Sequence, residues 1–171
     1  MFERLVGVVL LIGALVFALG IGADFASYDA DRSVHVAVVA DDQELIDLDP
    51  GQPYAYIGDD GKLYIDISEN NDNYPDGGGL GISPDAKYSF DCMFNVSNHL
   101  WEENVTINVT ITSNNDLVKL YTNDPDEAST SINFNVPQGE EVCVGMSFDG
   151  DGKSPGDSIE GQLTIHAEPA E

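Results

Sequence analysis

The chain has 171 residues, 31 of them acidic and 6 basic, for a formal net charge of −25. A field of that sign and size repels nucleic acid and anionic lipid and suits solvent cations or brine, where screening is strong. Hydrophobic residues still make up 42% and aromatics 9%, enough apolar surface for a core, which excludes a disordered acidic chain. An acidic, folded chain with almost no lysine carries the surface expected in a high-salt habitat.

The first element is apolar. Leu5 to Ala23 runs without a charge after Arg4. Its length lies where a long signal-peptide core overlaps a short membrane span. Small residues at its end (Gly20, Gly22, Ala23) suit a signal peptidase. Two main fates stay open, a cleaved signal peptide or a retained anchor, beside the alternative of a buried soluble helix; in the second the chain meets the membrane only through residues 5–23. Both divide the chain into a leader, 1–23, and one domain, 24–171, outside the cytoplasm.

Residues 24–171 read as strands and turns. Ser33 to Val39 alternates and is β-branched. Tyr54 to Ile57 and Leu63 to Ile67 flank Gly58-Asp59-Asp60-Gly61, the composition of a hairpin turn. Tyr88, Phe90, Cys92, Phe94 and Val96 form the inward set of the next strand, with Met93 breaking the pattern. From Asn104 to Thr112, Val105, Ile107, Val109 and Ile111 point one way, and the Asn and Thr residues between them point the other. Leu117 to Thr122, Ser131 to Val136, an inward row of Val142, Val144, Met146 and Phe148, and Ile159 to His166 complete the set. Residues 24–171 show no helical period. The expected fold is therefore all-β, a two-sheet β-sandwich of eight or nine strands with jelly-roll or Greek-key-like connections.

Asn95, Asn104 and Asn108 each begin an N-x-[ST] sequon. Alternation puts all three on polar faces, with Asn104 and Asn108 sharing one strand face. They are candidate N-glycosylation sites; an unmodified polar face is the competing reading. Cys92 falls in an inward register and Cys143 in an outward one. A disulfide between them and two unpaired thiols are both open, since neighbouring strands and an oxidising exterior permit the bond. Asp149 and Glu160 have the first-to-twelfth spacing of a calcium loop. Lys153 and Ser154 spoil the remaining ligand positions, so a hairpin loop is the better reading and no metal is assigned. His35, His99 and His166 are scattered. No H-E-x-x-H, G-x-S-x-G or phosphate-binding loop occurs. No catalytic residue and no cofactor is assigned, and the chain is not expected to be an enzyme.

Four segments carry a resemblance: Ala23 to Asp42, Asp60 to Ile67, Gly81 to Asn98 and Val142 to Asp149. In order and spacing they resemble an archaeal family of secreted proteins known chiefly as a domain of unknown function. That family is more distantly similar to the TasA and camelysin group of bacterial matrix proteins. The resemblance implies a jelly-roll-like sandwich and self-association through an N-terminal strand, here Asp24 to Val39, added to the sheet of a neighbouring copy; pairing of Val34, Val36 and Val38 within their own domain is the competing reading. No protease ligand set maps onto this chain. The expected function is a non-catalytic extracellular or cell-surface structural protein, such as a fibre or matrix subunit. The alternative is an anchored surface module that binds calcium or a glycan.

Overall fold

The computed structural model describes residues 34, 37, 39–41, 43–73, 77–79, 81–100 and 103–170. The leader and most of Asp24 to Val39, the candidate donor strand, lie outside the described residues. The strands below all belong to a compact unit, Val38–Glu171.

The fold is all-β. A four-stranded antiparallel sheet has the order β1-β4-β8-β6, built from β1 (Leu48–Pro50), β4 (Lys87–Ser97), β6 (Val118–Tyr121) and β8 (Glu141–Asp149). A three-stranded sheet has the order β7-β5-β9, from β5 (Ile107–Ser113), β7 (Ser131–Val136) and β9 (Leu163–Pro169). β2 (Ala55–Ile57) and β3 (Leu63–Ile65) form a separate hairpin, and Pro125–Glu127 makes one 3-10 turn, η1. From β4 to β9 successive strands alternate between the two larger sheets, so each connection crosses the layers, as in jelly-roll connectivity.

The core is where the apolar rows of these sheets meet. Phe94 and Val96 of β4, Val144 and Met146 of β8, and Val118 and Leu120 of β6 are buried on one side. Ile107, Val109 and Ile111 of β5 and Val136 of β7 join them from the other in a single cluster. Each such side chain contributes about 1.5–3 kcal/mol of burial. The alternation expected of β5 and β8 therefore emerges with the correct inward faces. The four-residue turn also forms: Gly58 N donates to Lys62 O at 2.9 Å and Gly61 N to Gly58 O at 2.9 Å. Gly61 sits at φ +78°, a left-handed conformation that favours glycine.

Two expectations need correcting. Cys92 is not inward. β4 pairs with β8 through Phe90↔Met146 and then Phe94↔Val144, so Asp91, Cys92 and Met93 oppose Gly145 alone. This bulge resets the alternation, sends Met93 into the core with no exposed surface, and leaves Cys92 half-buried at φ +50°. Asn104 is not on a strand. It occupies a turn at φ +62°, and β5 begins only at Ile107. Asn tolerates the left-handed region better than most residues, which lets the chain turn there before pairing starts.

Candidate functional site

Among the described residues the chain forms a cleft of about 1010 Å³. One wall is the outer face of the β2–β3 hairpin and the loop after it; the other is the loop joining β8 to β9. Tyr56 and Tyr64 are partners across the hairpin. Their rings lie 5.7 Å apart at an interplanar angle of 18°, as cross-strand aromatic pairs do. A side chain at position 58 would run into the Tyr64 ring, so glycine there lets the ring settle on the turn backbone. Tyr64 Oη donates to Asp60 Oδ2 at 3.1 Å, and Lys62 Nζ bonds the same oxygen at 2.9 Å.

The walls are pinned by buried polar contacts. Asn71, 3% exposed, donates from Nδ2 to Asp66 O at 2.9 Å and to Pro53 O at 3.2 Å, while its Oδ1 accepts from Asn73 N at 2.9 Å. Gly150 N donates to Ala86 O at 2.9 Å, and a Cβ at Gly150 would lie 2.6 Å from Ser83 O. Asn115 Nδ2 donates to Glu160 O at 2.7 Å and ties down the far end of the β8–β9 loop. Burial, then the charge of Asp66, raise the Tyr56 phenol above its ordinary pKa. A tyrosine hydroxyl is protonated at neutral pH with or without this shift, so it is available there as a hydrogen-bond donor.

A second constellation surrounds the bulge. Cys92 and Cys143 are disulfide-bonded, with Cα atoms 4.9 Å apart. The bulge makes this possible by moving Cys92 to the side of β4 on which Cys143 already stands. Tyr121, 4% exposed, donates from Oη to Asp91 Oδ1 at 2.8 Å. Its ring occupies the space a side chain at Gly145 would need. Burial, then the bond to Asp91, push the Tyr121 phenol well above its ordinary pKa. Gly51 N donates to Met93 O at 3.0 Å and Gln52 Nε2 to Asp91 O at 2.8 Å, so the chain leaving β1 also buttresses the bulge.

The sequons fall in three different environments. Asn95 is half-buried in β4, and the Ser97 hydroxyl of its sequon is buried with no hydrogen-bond partner among the described residues. Asn108 gives both amide hydrogens away, to Asn133 Oδ1 and Asn135 Oδ1 at 2.9 Å each. It belongs to a polar lattice on the outer face of β5 and β7 that also takes in Thr110. Asn104 is exposed; its backbone N donates to Gln138 Oε1 at 3.0 Å. Asp149 and Glu160 lie at opposite ends of the β8–β9 loop, where Asp149 Oδ1 accepts from Asp151 N at 3.0 Å. Among the described residues no group of three or more His, Cys, Asp or Glu side chains converges to hold a metal ion. His99 lies 3.3 Å from Asp47 and His166 lies 3.6 Å from Glu168; His35 is outside the described residues.

Among the described residues the four edges of the two larger sheets also differ. β1 is three residues long, and Leu48 N donates to Asp41 O at 2.7 Å beyond it. β6 is bridged by Ser129. β9 carries His166, Glu168 and Pro169. β7 reads Ser-Ile-Asn-Phe-Asn-Val, with no charge, no proline and no bulge. Among the described residues no further strand pairs with it.

These features define a disulfide-bonded, all-β sandwich with one polar, aromatic-walled cleft. The chain belongs to the DUF1102 family, described as a protein of unknown function, whose family model matches residues 38–171. No curated protein matches the chain.

Proposed function

We propose that this is a non-catalytic structural protein of the cell exterior, a fibre or matrix subunit that associates with its own copies by β-strand addition. The observation that carries this reading is the β7 edge. Sandwich proteins blunt their edges with lysine, proline, bulges or covering loops. The other three edges here are short, bridged or charged, whereas β7 leaves Ile132 and Phe134 half-buried and carries no charge. In a chain of net charge −25, an uncharged edge is where a second copy can approach with least repulsion. Asp24 to Val39, with its alternating Val34, Val36 and Val38, has the pattern of an incoming strand. The disulfide and the leader support export, the acidic surface supports work in brine, and the resemblance to archaeal secreted proteins and to the TasA and camelysin group supports assembly.

The test uses purified residues 24–171 at several salt and protein concentrations. Filaments or large oligomers are expected by negative-stain microscopy and light scattering. Asn133→Asp with Asn135→Asp, which adds to the edge the charge a second acidic copy would meet as repulsion, and removal of residues 24–39 should each return monomers of unchanged fold. A monomer from the unaltered chain under every condition would sink the proposal.

The cleft favours a second reading, a surface module that binds a glycan.

A further inference from the structure

We infer that the cleft between the β2–β3 hairpin and the β8–β9 loop binds a neutral saccharide. The inference goes beyond assembly and takes up the second reading; the β7 edge plays no part in it.

Three properties narrow the ligand. The first is size. About 1010 Å³ is at the upper end of small-ligand sites, and it accommodates two or three sugar rings rather than a metal or a simple anion.

The second is the wall. Tyr64 is 43% exposed and is the one aromatic among the large exposed hydrophobics of the described residues. With Tyr56 nearly parallel beside it, it lines the cleft. Aromatic faces are electron-rich and attract the positively polarised C–H groups that cover one face of a pyranose. The hairpin alone would be a weak platform, but Gly58 seats the Tyr64 ring and Asn71 pins the following loop. Little ordering is left to be lost on binding, which is the general benefit of a preformed site.

The third is polarity. Asp66, Glu69, Asp157 and Glu160 line the cleft against Lys153 alone. That balance repels phosphates, sulfates and uronic acids. The carboxylates do not converge in a metal geometry among the described residues. What they offer is a set of acceptors for hydroxyl donors, with the Tyr56 phenol held protonated and the Asn70 amide as donors for ring and hydroxyl oxygens. A ligand rich in hydroxyls, uncharged and with one apolar face satisfies all three properties.

An organic cation also answers to the field, and salt separates the two. Attraction between charges fades as the Debye length falls to about 3 Å at 1 M. Stacking and hydrogen bonding to a neutral sugar persist.

The experiment is affinity electrophoresis of the folded, oxidised protein in native gels that contain mannan, galactomannan, xyloglucan or hydroxyethylcellulose. Titration calorimetry follows with the matching hexasaccharide and with spermidine, at 0.1 M and 2 M NaCl. At least one neutral polymer should retard the protein, with a Kd that changes less than threefold between the two salts. Tyr64→Ala should weaken that Kd tenfold or more. Tyr56→Ala and Asp66→Asn serve as independent checks should Tyr64→Ala unfold the hairpin, and each should cost at least threefold. Asn133→Asp with Asn135→Asp should leave binding intact, so failure of assembly and failure of this site are read separately. Retardation by none of the polymers overturns the inference. So does binding of spermidine alone that disappears at 2 M NaCl, or retardation unchanged in all three cleft variants.

Discussion

The Cys92–Cys143 bond is the contact whose removal has the most calculable consequence. The two cysteines are 51 residues apart in sequence. On the chain-entropy account, closing a loop of that length removes about 14 cal/mol/K from the unfolded ensemble, or about 4 kcal/mol at 25 °C. Against this stands the backbone at Cys92, whose φ of +50° is a conformation that costs a non-glycine residue roughly 1–3 kcal/mol when its surroundings impose it. Part of that cost is recovered if the strand relaxes once the bond is gone. The net loss for Cys92→Ser with Cys143→Ser is therefore expected to be roughly 2–4 kcal/mol. That is a large share of the 5–15 kcal/mol or so that stabilises a typical domain. In a domain of this size each kcal/mol shifts Tm by roughly 3–5 °C. Guanidinium unfolding of the oxidised protein and of the double variant measures the difference directly, and thiol titration of the unfolded wild type should find no free thiol. A loss below about 1 kcal/mol would refute the entropy estimate; two titratable thiols would refute the bond itself.

Three further outcomes follow from the same region and from the sequons. Peptide mapping of protein from its native host should find glycan on Asn104 and none on Asn108, whose amide hydrogens are both engaged by Asn133 and Asn135; glycan at Asn108 with the fold intact would contradict that lattice. Tyr121 has a folded-state pKa raised above its ordinary value, chiefly by burial. The native state then holds this proton where the unfolded chain has lost it, so the stability contribution is complete below about pH 10 and falls as pH rises beyond it. Tyr121→Phe should flatten that alkaline slope in urea melts between pH 9 and 11 and cost about 1 kcal/mol at neutral pH through the lost bond to Asp91; an unchanged slope would assign it to other groups. Gly145→Ala should destabilise by about 1–3 kcal/mol, because the new methyl group and the Tyr121 ring compete for one space; differential scanning calorimetry checks it, and a Tm within 1 °C or so of wild type would mean that the ring moves aside freely.

How much of this was readable beforehand depends on whether local pattern or long-range pairing decided it. β5 was legible because Ile107, Val109 and Ile111 alternate strictly, and a two-residue period has one inward face. The Tyr56–Tyr64 partnership was only half legible in Gly58-Asp59-Asp60-Gly61, since a four-residue connection would set Tyr56 opposite Leu63, and it is Lys62, bonded through its carbonyl to Gly58 N, that shifts the register by one and pairs the tyrosines. β1 was not legible, because Leu-Asp-Pro has no strand signature and is held by Phe94 to Val96 from elsewhere in the chain. Ile159 misled: it packs against the core from a loop, and β9 starts at Leu163. The cleft was beyond reach, since its two walls are separated by roughly 85 positions of sequence and meet only through the sandwich connectivity. Met93 is the instructive case. It was the single misfit in an otherwise regular strand, and it marked the bulge that turns Cys92 toward Cys143.

The distribution of charge joins these observations. The 31 acidic residues are absent from β7, and on the outer face of β5 they are replaced by Asn108, Thr110 and Thr112, in register with Asn135, Asn133 and Ser131. An acidic surface selected only for hydration would have little reason to spare β5 and β7, since an exposed strand face tolerates Asp or Glu at modest cost; Glu168 on β9 is the acidic residue this sheet keeps, at its far edge. A strand edge and the adjoining β5–β7 part of its face kept neutral together are what a surface needs if another chain is to lie along that edge, because each carboxylate buried against a second copy adds a desolvation cost and a like-charge repulsion. The cleft lies on the other side of this division: it keeps its carboxylates and adds aromatic rings, which suits small hydroxylated molecules and not a second copy of the same acidic chain. The proposed assembly and the inferred ligand capture thus fall on surfaces of opposite character. Charging β7 should abolish the first without touching the second.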